Sequence, residues 1–495
     1  MQKQKQTLSS TQKNNLYEAS WNTLPTELLS KTKIMKNFLF IIIASATLSS
    51  CGLYKNYERP ADVKIPNNIY RDSTKLENII DADTTNFGNM PWREVFVDTR
   101  LQNLIEKALA NNTNLQQADL TIRQAEAGLK ISRLAFLPSV SLSPQGTITS
   151  WDFSKATKTY SIPVQASWQI DAFGTLRNAK KQSEMSLMQT RAAKQATRTS
   201  IIASVANLYY TLEMLDAQLA TTKATAELWD KNVSAMETMF KAGLTNSSAV
   251  SQAKANRLSI LTTIPAMQAS IQKAENSLCA LLHEAPHSIE RGSLEDVKLP
   301  SSLSAGVPMQ LLSNRPDVRS AELQMAYAFY GVLGARGAFY PKITLSGAAS
   351  WTNSGGLGVV NPGKILASAV GSLVQPLFAQ GKLRANLDIA KAQQESATLS
   401  FEQKLLDAGN EVNEAIDNYN AAKLRIDGNK ELVKELTKSV ETTDFIFKND
   451  NSVSYLETLT AQQSLLQAQL NLISAKLDKV QAVISLYQAL GGGRD

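Results

Sequence analysis

Side chains able to do chemistry are sparse in this 495-residue chain, which holds two cysteines and two histidines. That is too few for a disulfide-built fold or a histidine-rich metal or acid–base site. Cys279 lies in Leu278-Cys279-Ala280-Leu281-Leu282, an apolar helical stretch, and reads as a buried inert thiol. The chain carries no Walker loop, nucleophile elbow, HExxH helix or cysteine pair with metal spacing. Gly491-Gly492-Gly493 reads as a frayed terminus rather than a phosphate loop. No enzyme, cofactor or metal ligand set is expected. Cys51 stands apart, because it follows an apolar run and several small residues near the N-terminus. A thiol so placed can be acylated.

Met35-Lys36-Asn37-Phe38 leads into Leu39-Phe40-Ile41-Ile42-Ile43-Ala44 and then the small residues up to Ser50. A basic start, a short apolar core and small residues before a cleavage point make a secretory signal. The run is shorter than the roughly 20 apolar residues a spanning helix needs. Leu48-Ser49-Ser50-Cys51 resembles a bacterial lipobox, which implies cleavage before Cys51 and lipid on its thiol and new amino group. Residues 1–34 precede a complete signal and read as an extension beyond the true start, with 35–50 the signal peptide. The net charge of +7 is concentrated in the first 51 residues, which hold six lysines and two acids. Further on, both signs intersperse along helices, so a solvated surface is expected and no nucleic-acid partner.

The elements that must position the rest come in two rounds. Ala135-Phe136-Leu137-Pro138-Ser139 and Phe173-Gly174-Thr175-Leu176-Arg177 bracket a first strand region. Ala338-Phe339-Tyr340-Pro341-Lys342 and Gln380-Gly381-Lys382-Leu383-Arg384 bracket a second. Gly174 and Gly381 lie 207 residues apart, as do Phe240-Lys241 and Phe447-Lys448, so two duplicated halves are expected. Val140, Leu142, Ile148, Tyr160, Ile162, Val164, Ala166 and Trp168 alternate with polar residues, as in a membrane barrel strand. Trp151 and Trp168 fall near strand ends, where aromatics sit at an interface. From Leu176 to Phe240 neither Gly nor Pro occurs, and some 65 residues of helix would reach about 100 Å. The chain then turns at Gly243-Leu244-Thr245 and returns in a helix to His283, interrupted at Pro265. The second round turns at Asn449-Asp450-Asn451-Ser452 and returns to Leu490.

The expected segments are 51–110, a lipid-anchored and equatorial stretch; 111–283, a first repeat with strands near 139–170 and a helical tip at 241–248; and 284–313, a linker. A second repeat at 314–490 has strands near 342–375 and a tip at 449–454, and 491–495 is a tail. Each half supplies two strands. Four strands cannot close a barrel, and an open edge is not tolerated in hydrocarbon. The pattern leaves open a soluble hairpin packed against helices; if the strands lie in a membrane, several chains must pool them, eight from two chains or twelve from three. The physics stops at a hollow multi-chain cylinder.

Further motifs carry a resemblance. They are the Trp92/Phe96/Asp98 opening, Leu311-Leu312 before Asn314-Arg315-Pro316-Asp317-Val318-Arg319, Phe339-Tyr340-Pro341, Ile170-Asp171-Ala172-Phe173-Gly174, and Gln375-Pro376-Leu377-Phe378. With the lipobox and both tips, the chain resembles the TolC-like outer-membrane efflux factors, most closely their lipidated NodT-type branch. The resemblance implies a mainly α fold with a membrane β-barrel: a homotrimer whose twelve-stranded barrel continues into a long periplasmic α-helical barrel. It implies an exit duct in the outer membrane of a diderm bacterium, docked to a periplasmic adaptor and an inner-membrane pump of the resistance-nodulation-division (RND) type. Small molecules would pass. By the same resemblance Gly243, Leu244, Thr245, Asn451, Ser452, Val453 and Ser454 would face the adaptor. Glu457 would be a gate carboxylate, ringed by its copies, with Thr460 where a second acid sometimes occurs. Two other readings stay open: a duct for type I protein secretion, and a coiled-coil lipoprotein without a pore.

Overall fold

The structure is a computed structural model that describes residues 54–60, 87–150, 152–300, 314–354, 360–449 and 455–494. Short helices α1 (Trp92–Val95), α2 (Thr99–Asn111) and α3 (Thr113–Leu134) lead to strands β1 (Ser139–Leu142), β2 (Gln145–Thr149) and β3 (Thr157–Ile170). Two rods follow, α4 (Thr175–Lys241) and α5 (Ser247–Leu282). Next come α6 (Pro316–Gly337), β4 (Lys342–Ser354), β5 (Val360–Val374), and a second pair of rods, α7 (Lys382–Asn449) and α8 (Tyr455–Ala489). At 1.5 Å per residue, the 67 residues of α4 and the 68 of α7 each run about 100 Å.

Side chains outside the helices start them. Asp98 accepts from Arg100 N at the head of α2, and Asn112 accepts from Asn114 N and Leu115 N at the head of α3. Asp171 reaches over the turn to accept from Leu176 N (2.9 Å) and Arg177 N (2.8 Å), while Gly174 takes the left-handed φ of 73°. Gly243, at φ +77°, ends α4 by letting Leu244 N reach Met239 O and its own N–H reach Phe240 O. Only the absence of a Cβ makes that bend cheap.

Strand order is β1-β3-β4-β5, antiparallel throughout, with β2 also pairing to β3, so β1 and β2 share one column. The expected first strand is thus split around Ser143-Pro144, because Pro144 has no N–H to give the ladder. In the turn at the foot of the sheet, Phe173 stacks on Tyr340 with ring centroids 4.8 Å apart.

The main core is a waist. Trp92, Leu101 and Ile105 from the N-terminal helices meet Ile202, Tyr209 and Leu212 of α4, Leu278 and Leu282 of α5, Val412 of α7, and Tyr487 of α8. A second cluster joins Val318 and Met325 of α6 to Phe401 and Leu405 of α7, and a third joins Trp229, Ile260 and Leu459 further along the rods.

Two expectations fail. Helix α5 runs through Pro265 without interruption. Pro265 removes one backbone donor, and in the turn before it the hydroxyls of Thr262 and Thr263 bond the Ser259 and Ile260 carbonyls at 2.8 and 2.7 Å. The C-terminal glycines are not frayed. Gly491 (φ +76°) caps α8, Gly492 N bonds Tyr487 O, and Gly493 N bonds the Tyr487 hydroxyl. The Gly492 and Gly493 carbonyls are held by Thr199, Gln195 and Arg198 of α4, and Arg494 fastens to Asn314 and Asn89. The run is glycine because a closing seam at the waist leaves no room for side chains.

Candidate functional site

The sheet has one continuous apolar face. Its rows are set by register: Val140–Ala166–Gly347–Ala369, Leu142–Val164–Ala349–Ala367, Trp168–Leu345–Gly371 and Ile162–Trp351–Ile365. Val140, Leu142, Ile162, Val164, Trp168, Leu345, Trp351 and Ile365 are all exposed. Trp351 pairs with Ile162, six residues from Trp168 along β3, so the tryptophans bracket a band about 20 Å tall. That approaches the roughly 25 Å apolar belt of an outer-membrane barrel. The opposite face of β3 presents Thr159, Ser161, Gln165 and Ser167, and Ser161 hydrogen-bonds Ser350 across to β4. Strand β5 is apolar on both faces, since Leu366, Val370 and Val374 are also exposed. Among the described residues, neither the β1/β2 edge nor the β5 edge has a strand partner.

The band lies close to the N-terminal strap. Tyr54 donates its hydroxyl to Ala172 O (2.8 Å), in the turn just after β3, and Arg177 sits over its ring at 5.3 Å. Tyr57 N bonds the Tyr330 hydroxyl, and Arg59 pairs with Glu322 at 2.8 Å, both on α6. Cys51 lies outside the described residues.

At the other end, Gly243 and Leu244 are exposed in the α4–α5 turn and Thr245 is half-buried. Asn451, Ser452, Val453 and Ser454 lie outside the described residues, as does Trp151. Glu457 is exposed in the first turn of α8, while its neighbours Thr458 and Leu459 are buried. Leu459 packs with Trp229 and Ile260, which places Glu457 toward the same end as Gly243. The structure therefore gathers the described tip residues and Glu457 at one end and the strap at the other. Cys279 is buried at the waist, with its sulfur 3.5 Å from His287 Nδ1.

Sequence reasoning missed a polar cluster at the waist. Glu213 of α4 is 2 % exposed, and its Oε2 has no hydrogen-bond partner. Burial, then the nearby Asp98 carboxylate, pushes its carboxyl up to about 7. The neighbouring Tyr209 hydroxyl donates to Asp98 (2.7 Å) and accepts from Gly292 N (3.0 Å). Burial drives the Tyr209 phenol well above its usual range. No spacing rule would have found this group, whose parts come from residues 98, 209, 213 and 292.

Arg315 explains the Arg-Pro-Asp motif. Its buried guanidinium grips both oxygens of Asp317 (3.0 and 2.8 Å), the Ala489 carbonyl (3.1 Å) and Glu411 (2.6 Å). It ties the head of α6 to the end of α8 and the side of α7.

The sequence matches the family described as Outer membrane efflux protein over residues 104–283 and 307–492. The chain belongs to this family. The Cation efflux system protein CusC of Escherichia coli (strain K12) is 28% identical over 456 residues, 90% of this chain and 97% of that protein. The Toluene efflux pump outer membrane protein TtgC of Pseudomonas putida is 26% identical over 478 residues, 92% and 96% of the two chains. Among solved structures, one of CusC superposes with a TM-score of 0.76 at 26% identity, over 88% of this chain and 99% of that one. The channel OprN superposes with a TM-score of 0.79 at 23% identity, over 88% and 98%, and shares the fold.

Proposed function

We propose that this outer membrane efflux protein is the exit duct of a tripartite pump, built from three copies. The carrying observation is the sheet, with one exposed apolar face bracketed by tryptophans and two edges that only further strands can satisfy in lipid. Three copies give a closed barrel of twelve strands, and their rods extend the tube to one side. The order helix, strands, long rod, shorter rod occurs twice, with rods of 67 and 36 residues and then 68 and 35, which supports duplicated halves.

The tip around Gly243–Thr245, and its counterpart at Asn451–Ser454, would meet a periplasmic adaptor linked to an RND-type inner-membrane pump. Glu457, exposed toward that end, would contribute one carboxylate of a ring at the narrow mouth. Cys51 is the lipid attachment site in this reading. Three residues span at most about 10 Å, so the docking of Tyr54 beside the sheet supports an acyl chain entering the leaflet there. Relatives are named for cation and toluene efflux, and we assign this duct to small molecules.

Purified protein in planar bilayers should give stepwise conductance, and cross-linking should yield trimers. A monomer that leaves the bilayer sealed would overturn the duct. Intact mass of the mature protein should show Cys51 as its acylated first residue; residues preceding it, or no lipid, would remove the anchor.

A further inference from the structure

We propose that Glu213 is a proton-binding site at the waist, occupied while the segment around Gly292 and the head of α2 cover it, and emptied when that cover lifts. Three observations of geometry carry this. Glu213 is sealed at 2 % exposure with one oxygen unpartnered, an arrangement that disfavours a carboxylate and suits a carboxylic acid. The cover fits closely, for a Cβ on Gly292 would lie 3.0 Å from Glu213 Oε1 and 3.2 Å from Asp98 Oδ2. The cover is itself hydrogen-bonded into the cluster, through Gly292 N to the Tyr209 hydroxyl and Tyr209 to Asp98.

The surrounding charges leave the proton in place. Burial and Asp98 at the head of α2 oppose ionisation; Tyr209 of α4, the Gly292 N–H of the cover and Arg100 of α2 each offset this in part, and Tyr210 of α4 adds no charge, so burial still prevails. On the covering segment Arg291 is committed to Asp216 of α4 and Glu275 of α5, and Glu295 to Lys476 of α8. Glu94 of α1, with Asp296 and Lys298 of that segment, lines the adjoining cleft. No cation in this set is positioned to pair with Glu213 Oε2.

A group bound to its proton when covered, and free to lose it when uncovered, makes uncovering pH-dependent. With the covered carboxyl near 7 and an uncovered one near 4.5, the uncovered fraction should rise roughly 50- to 100-fold between pH 5 and pH 8. Hydrogen–deuterium exchange on the full chain in detergent measures this. Protection of the amides at 289–297, corrected for intrinsic exchange, should fall by that factor in the wild type and stay level in Glu213→Gln. An equal fall in both, or none in either, overturns the proposal. Asp98→Asn is the second variant, retaining a residue able to cap α2. It should move the midpoint of the fall to lower pH, and an unmoved midpoint counts against Glu213 as the proton's seat. Infrared difference spectra supply a signature that a packing defect would not mimic: a carboxylic-acid carbonyl band that titrates in the wild type and is missing from Glu213→Gln.

Discussion

Placing an alanine at Gly491 or Gly492 tests whether the end of the chain is a seam or a loose tail. At Gly491 the backbone sits at φ +76°, which costs an L side chain about 1–2 kcal/mol. Its Cβ would also lie 2.7 Å from the Asn314 carbonyl oxygen, a backbone atom that cannot swing aside. Overpacking of this kind costs about 1–3 kcal/mol, so the total is about 2–5 kcal/mol. At Gly492 the new methyl would fall 2.4–2.6 Å from three atoms of the Tyr487 ring. Tyr487 would have to move, and its hydroxyl bonds to Met90 O and from Gly493 N, both 2.8 Å, would be strained. Losing them adds about 1 kcal/mol each. Gly128, in the middle of α3 with nothing within 4 Å of its Cβ position, is the control, and Gly128→Ala should gain up to about 1 kcal/mol. The assay is guanidinium denaturation of the detergent-solubilised protein followed by far-ultraviolet circular dichroism. Midpoints for Gly491→Ala and Gly492→Ala that match wild type, within about 0.5 kcal/mol, would refute the seam.

Other outcomes follow from single residues. Because burial raises the folded-state Glu213 carboxyl to about 7, the unfolded chain sheds that proton first as pH rises from about 4.5. Stability should therefore decline between pH 4.5 and 7, by about 2–3 kcal/mol, and remain lower above; Glu213→Gln should remove that decline in denaturation midpoints taken across pH. Asp171→Ala uncaps the head of α4 and should cost about 1–2 kcal/mol in the same assay. Arg315→Met leaves the half-buried Asp317 without its partner and should lose about 3 kcal/mol or more, whereas the double replacement with Asp317→Asn should recover part. Glu457→Ala should weaken cation preference and divalent block in single-channel recordings; unchanged traces would take Glu457 out of the mouth.

Much of the fold was legible because it is repetitive. The Gly- and Pro-free sequences of α4 and α8 specify rods by propensity, and Gly243 marks a turn whose positive φ only glycine meets cheaply. The strands announced themselves by alternation on β3, and Trp168 by its place near the strand end. Trp351 escaped notice, because its importance comes from pairing with Ile162 across the sheet. The tail was misread for a related reason. Three glycines look loose in sequence, and only the approach of Thr199, Asn314 and Tyr487 turns them into a fitted seam. Pro265 was read as a break because a proline removes one donor, but the bond lost is local and the rest of α5 carries through. Glu213 was invisible for the opposite reason: an ordinary glutamate on a helix gains its character from residues more than 70 positions away on either side.

The strap at Tyr54 has a consequence for the order of folding. Its partners Ala172, Glu322 and Tyr330 lie 118, 263 and 273 residues further along the chain. Contacts of such sequence separation form late, since the intervening chain must be ordered before they can close. The stretch beside Cys51 thus finds a first seat only after the turn at Ala172 is made, and its full one only once α6 has been made and packed. A stretch made early is among the last to find its place.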